Sequence, residues 1–479
     1  MSRLRWRGAG GCHRPRAVDA PVPSVVPPAS WRELLRLSLP MAVAMGLGFF
    51  LHYANRMVLS WHSPEAMAAG LPAGMLAWTV QSLFILVCGY LGTFAAQHTA
   101  AGEDRAAGAY VWPMLAVALG AAVLMAALIP CSPAIAGFFG VAPEVHAPLA
   151  TLLAWYWAET PLVAVLAGIS GFAGGIGRTG LVLAMSLAGC VGCILLNAWL
   201  VLGGLGVPAL GAHGAGAASL LTSLALAGAW WTWMLGGDRR ARFAVWAQRG
   251  WHGARLRRFL VLALPRGLSE VLEMAAFIAF TAVIARLGTD LLGASNAAFT
   301  TYIMGLVPLM GIAQGVGIAV GQAQGAGRPD LARLVVRRGA IIVTAVAAIM
   351  AGLLLLLPHT LLAPMRAPDL DDARWRAMLA DAWPVCIGLA FAAVGDSLIH
   401  LYRFALGGAG DTRWPLAMMV LCCALGLALP AWIAWMLIDD PRTVLWACYL
   451  VFGGAMWLMA GLLAWRWYRG PWPRMGVRG

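Results

Sequence analysis

The chain has 479 residues, 61% of them hydrophobic and only 11% charged, and a formal net charge of +13. A soluble domain carries about 25% charged residues, so the composition excludes an ordinary globular protein and points to long charge-free stretches that span a bilayer. Every basic residue is Arg, and the arginines alternate with apolar runs along the chain, which argues against nucleic acid as the reason for the charge.

Residues 1–30 carry five Arg in the first sixteen positions and then Pro21, Pro23, Pro27 and Pro28, with no apolar segment of a cleavable signal. They read as a disordered basic tail. Apolar runs then fall at roughly 37–60, 69–97, 109–130, 147–172, 180–202 and 212–235, and after a basic break at roughly 261–285, 294–322, 335–357, 381–406, 414–437 and 443–466, each long enough to cross the ~20-residue hydrocarbon. Backbone in lipid must satisfy its own hydrogen bonds, so these are twelve helices. The expected domains are an N-lobe over 31–235, a linker over 236–260, a C-lobe over 261–467 and a tail over 468–479. Cys190 and Cys193 have CxxC spacing inside an apolar run without His or a second pair, so they read as helix packing, as do Cys422 and Cys423.

Twelve spans place both termini on one side. Arg286, Arg366, Arg374, Arg376 and Arg442 lie in the loops of the other side and Arg56 inside the first span, leaving 27 of the 33 Arg on the terminal side. The excess of Arg marks that side as cytoplasmic. Arg239, Arg240, Arg242, Arg249, Arg255, Arg257 and Arg258 crowd the linker, where Trp246 and Trp251 suit an interfacial helix.

The chain also repeats itself. At an offset of 225, Pro40, Gly92, Gln97, Gly102 and Ala107 match Pro265, Gly317, Gln322, Gly327 and Ala332. At an offset of 233, GGIGRTGLVLAM (174–185) matches GGAGDTRWPLAM (407–418). Each repeat holds six spans, so both halves have the same orientation, a parallel repeat about an axis along the membrane normal.

These repeated segments carry a resemblance. GGAGDTRWP (407–415) and VGQAQGAGRPDLA (320–332), with AAQHTAAGEDRAA (95–107) and NAWLVLGGLGVPALGAHGAGAAS (197–219), resemble the multidrug and toxin extrusion (MATE) transporters over nearly all of residues 31–467. The resemblance implies an all-α membrane protein of two six-helix lobes, alternating access, and export of organic compounds such as drugs, dyes or a metabolite in exchange for protons or sodium. It implies a multi-pass inner-membrane protein, a monomer, with a small cationic or amphipathic organic substrate and no cofactor or nucleic acid.

A charge at mid-bilayer costs at least ~2.5–3.5 kcal/mol on insertion scales, so the few intramembrane ionisable residues are functional candidates. Glu273 lies eight residues beyond Pro265, roughly 12 Å along the seventh span, and Asp396 ten residues before Leu406, roughly 15 Å from the same face. Two carboxylates at one depth in one lobe make a natural proton carrier. The resemblance agrees: one branch of the family has Glu eight positions after the seventh-span Pro with Phe four later, here Glu273 and Phe277. It also has an Asp fifteen before that of the Gly-Asp-Thr segment, here Asp396 before Asp411. His400 is one turn after Asp396 and favours protons over sodium as coupling ion, because hard cations prefer oxygen ligands. Glu270 and Arg266 read as an i, i+4 pair.

The N-lobe departs from the family, which often has Asp in the first span and again four residues after the fifth-span Asn. Here the positions read Asn55-Arg56 and, after Asn197, Val201. Arg56 and Glu159 are both intramembrane and are expected to pair. Phe277, Phe299, Tyr302, Met304 and Met310, with Trp78 and Gln81 from the other lobe, are candidates to line an apolar, aromatic cavity. Asp411 of the Gly-Asp-Thr segment is expected to cap the eleventh helix. Competing readings are a lipid-linked-sugar flippase, which would favour a cationic cavity, and a non-transporting receptor or scaffold. No HExxH, P-loop or nucleophile–base spacing suggests an enzyme.

Overall fold

Hydrocarbon leaves each span no partner for its N–H and C=O groups except itself, and the computed structural model has helices wherever the apolar runs fall. It describes residues 27–138, 142–204, 206–250, 252–366 and 371–478. Among them are twelve helices long and apolar enough to cross a membrane. In chain order they are α1 Trp31–His62, α2 Pro64–Ala100, α3 Asp104–Phe138, α4 Pro143–Gly175, α5 Thr179–Leu202, α6 Gly211–Leu235, α7 Gly253–Ala285, α8 Thr289–Gly325, α9 Pro329–Leu356, α10 Asp372–Ala409, α11 Arg413–Leu437 and α12 Pro441–Arg469.

Local chemistry sets many of their ends. Ser30 and Glu33 form a capping box at the start of α1, with Glu33 N donating to Ser30 Oγ and Ser30 N to the Glu33 carboxylate. Ser63 accepts from Ala66 N with Pro64 at the first position of α2, and Asp440 accepts from Thr443 N with Pro441 opening α12. The expected cap at α11 does not form. Thr412 is the N-cap residue and makes no side-chain cap, while buried Asp411 accepts from Arg466 Nε of α12 at 2.7 Å. A guanidinium within reach is a stronger partner for a carboxylate than backbone N–H groups.

The two halves are built alike around repeated glycines. Gly92 of α2 and Gly175 of α4 meet so closely that a Cβ on Gly175 would overlap the Gly92 carbonyl. Their repeat counterparts, Gly317 of α8 and Gly408 of α10, meet in the same way. Small residues let backbones approach where lipid offers no hydrophobic drive for association. One apolar core draws mainly on α7–α12, with Leu34, Leu37 and Ala42 of α1, and the others draw mainly on the first six helices, with Phe259 and Ala263 of α7 joining one of them.

The linker is a short helix, Asp238–Phe243, and a turn, Trp246–Gln248, before α7 begins at Gly253. Trp246 is exposed beside Trp112, as an interfacial residue would be, while Trp251 and residues 1–26 of the expected tail lie outside the described residues. The lobes meet on the arginine-rich face. Gln97 Nε2, at the end of α2, donates to Gly408 O at 2.8 Å, and Gln322 Nε2, at the end of α8, donates to Gly175 O at 2.9 Å. These are repeat counterparts, so one cross-lobe bond occurs twice.

Candidate functional site

The site stands where α7 and α10 face each other inside the C-lobe. Spacings of three and four put Arg266, Glu270, Glu273 and Phe277 on one stripe of α7, and Asp396, His400 and Arg403 on one stripe of α10. Arg403, only 2% exposed, ties the stripes together: NH1 donates to Glu273 Oε2 and NH2 to Glu270 Oε2 at 3.2 Å. Glu270 therefore pairs across helices with Arg403 rather than with Arg266 along its own helix. Arg266 lays its guanidinium over the Phe404 ring of α10 at 4.3 Å.

Asp396 has a different set of partners. Tyr302 Oη donates to its Oδ2 at 2.7 Å, and His400 Nε2 lies 3.5 Å from its Oδ1. Sequence reasoning placed Tyr302 in the cavity wall; its ring is 1% exposed and its hydroxyl is committed to Asp396. Glu273, by contrast, keeps 37% of its side chain accessible. His400 Nδ1, Arg403 Nε and Arg266 NH1 are buried with no hydrogen-bond partner among the described residues. Such orphans are uncommon in folded proteins and here three gather at one place.

Phe277 and Phe299 stack at 4.4 Å, and Phe299 touches Tyr302 and Phe452, so these candidates form an aromatic wall beside the carboxylates. Met310 is half-buried against the C-lobe core. Met304, two residues beyond Tyr302 and so on nearly the opposite side of α8, is 61% exposed. Trp78 is half-buried on α2. Gln81 does not project freely into a cavity, since its Nε2 donates to Tyr156 O at 2.6 Å within the N-lobe.

In the N-lobe, Asn197 Nδ2 donates to Asn55 Oδ1 at 2.7 Å, which joins α1 to α5. The expected Arg56–Glu159 pair does not form. Glu159 accepts from Ser219 Oγ at 2.7 Å and Ser223 Oγ at 2.5 Å, two hydroxyls one turn apart on α6. Arg56 Nε turns back to His52 O at 3.4 Å, and its stem lies along Gly70 of α2. Serines at i and i+4 match the two carboxylate oxygens, and α4 packs on α6, so the nearer donors hold Glu159.

Arg403 is the hub of the site, although it is not among the candidates read from the sequence. Its signal was present: Arg403 follows Asp396 by seven residues, two turns along the same face.

Two like-oriented six-helix lobes, the second holding a buried cluster of ionisable side chains, define a membrane transporter built from a parallel repeat. The MatE family profile matches residues 40–199 and again 265–432, so its two matches begin at the 225-residue offset found within the sequence. The chain belongs to the MatE family of efflux transporters. It is 28% identical over 419 residues to the "probable multidrug resistance protein NorM" of Deinococcus radiodurans, covering 85% of this chain and 89% of that protein. It is 26% identical to the multidrug resistance protein PmpM of Pseudomonas aeruginosa, covering 84% and 83%. Its fold is similar to a solved outward-facing multidrug resistance MATE family transporter of the MOP superfamily, with a TM-score of 0.78 at 17% identity over 92% of this chain and 96% of that one.

Proposed function

We propose that this protein is an inner-membrane antiporter that exports organic cations in exchange for protons by alternating access, with both termini cytoplasmic. The observation that carries the proton is the division of partners around Arg403. Its fork takes Oε2 of Glu270 and of Glu273, so both carboxylates already have a cationic partner. Asp396 is left with one hydroxyl and one imidazole, too few oxygens for a hard cation but sufficient to hold and relay a proton.

Charge arithmetic supports exchange. With Arg266 and Arg403 cationic and Glu270, Glu273 and Asp396 anionic, the cluster holds one negative charge in excess. One proton on Asp396 or one monovalent organic cation at Glu273 satisfies that excess, and the second to arrive would find no compensating charge. Burial makes the uncompensated state costly, so each expels the other. Accessible Glu273 and the adjoining Phe277–Phe299 stack suit an aromatic or amphipathic cation.

The test is uptake of a fluorescent organic cation into everted vesicles under an imposed proton gradient and, separately, a sodium gradient. The expected result is uptake driven by protons and lost in Asp396→Asn. Uptake driven by sodium alone, or unchanged in Asp396→Asn, would overturn the assignment.

A further inference from the structure

The residues after α12 fold back onto the protein. Trp472–Arg474 form a turn that stacks the Trp472 ring on Trp467 at 4.0 Å, with 6° between the planes, and both rings are buried. From there the chain crosses the arginine-rich face between the lobes. On the C-lobe side, Gln324 of α8 donates Nε2 to the carbonyls of Trp472 and Pro473, each at 3.2 Å, and of Met475. Gly410, at φ 96°, lets Gly476 pass so close that a Cβ at 410 would stand 3.2 Å from it.

On the N-lobe side, Val477 is fully buried in the apolar core that holds Phe94 and Tyr110. Its N–H donates to Gln97 Oε1 at 2.8 Å. Gln97 thus uses both ends of its amide, one for the tail and the other for Gly408. Arg478 binds both lobes at once. It forks onto the Glu103 carboxylate, with Nε at 3.3 Å from Oε2, while NH1 donates to Gly325 O at 3.2 Å.

We propose that residues 471–478 are a latch, threaded between the ends of α2 and α8, that clasps the two lobes together on the arginine-rich face. Trp472 anchors it to α12, Gln324 fixes its middle, and Val477 with Arg478 reaches the opposite lobe. For the lobes to part on this face, Val477 must leave its pocket and Arg478 must release Glu103. That the parting belongs to a transport cycle rests on the alternating-access reading; the clasp itself does not.

Hydrogen exchange on the full chain in lipid nanodiscs tests the latch whether or not the protein transports. Deleting residues 471–478 is expected to speed amide exchange at 97–102 in the N-lobe and 322–327 in the C-lobe by at least about tenfold. Arg478→Glu should do the same, and adding Glu103→Arg should restore protection at 97–102, where the ion pair is remade with its signs exchanged. Should the deletion loosen the whole fold, the charge reversal and its restoration decide alone. Unchanged exchange, acceleration on one lobe only, or no restoration in the swapped pair would overturn the proposal.

Discussion

Arg403 illustrates how one side chain organises a membrane site. A guanidinium can compensate two carboxylates because its fork presents separate N–H groups to each, whereas an ammonium is a single point charge. Arg403→Leu should therefore strand Glu270 and Glu273. A loss of about 3–5 kcal/mol is expected in reversible unfolding in detergent, with most of it recovered when both glutamates become glutamine. Arg56 and Glu159 predict the opposite behaviour. They have separate partners, so neutralising both should be additive, and a double-mutant cycle on unfolding should give a coupling below about 0.5 kcal/mol. Depth along two spans put Glu273 and Asp396 at one level of one lobe, and spacing along α10 put His400 beside Asp396. Neither identified their partners, because Tyr302 and Arg403 reach them across helices and one-dimensional spacing carries no interhelical distance.

Glycines govern the scale of the helix pair. Gly175 and Gly408 each sit against a partner carbonyl, whereas Gly120 on α3 and Gly228 on α6 have nothing within 4 Å of a built Cβ. Gly175→Leu and Gly408→Leu should each overpack a crossing and lower stability by about 1–3 kcal/mol, read as a fall in thermal midpoint. Gly120→Ala should be neutral or slightly stabilising, because Ala is the better helix former and its methyl meets open space. At α1, α2 and α12 the Ser or Asp cap lies outside the apolar run, so the helices begin at Trp31, Pro64 and Pro441, six, five and two residues before the runs at 37, 69 and 443. Asp411 shows the limit: a residue with a cap's local signature was taken by Arg466, 55 residues away in sequence, because folding brought a charge within 2.7 Å.

Across the whole molecule, closure of the arginine-rich face depends on a charge outside the spans. Burial alone would raise the Glu103 carboxyl, but hydrogen bonds and charge from Arg478 and His98 hold it below the usual carboxylate range. A carboxyl lowered in the folded state contributes stability above its unfolded pKa of about 4.3, and that contribution disappears as pH falls through the folded value. The contact should thus persist at neutral pH and loosen in acid. Protection at 97–102, corrected for the intrinsic pH dependence of amide exchange, should fall in acid in the wild type and much less in Glu103→Gln, where the titrating group is gone. What the sequence by itself determined is the set of twelve spans, the parallel repeat and the family, since apolar length, arginine placement and recurrent glycines are written along the chain and act locally or by symmetry. The tertiary structure alone decided that Arg403 pairs with the glutamates while Tyr302 and His400 meet Asp396, that Glu159 rests on serines rather than Arg56, and that residues after α12 bind both lobes. Each of these is a contest among donors brought together from distant parts of the chain, and distance and burial settle such contests only once the helices have packed.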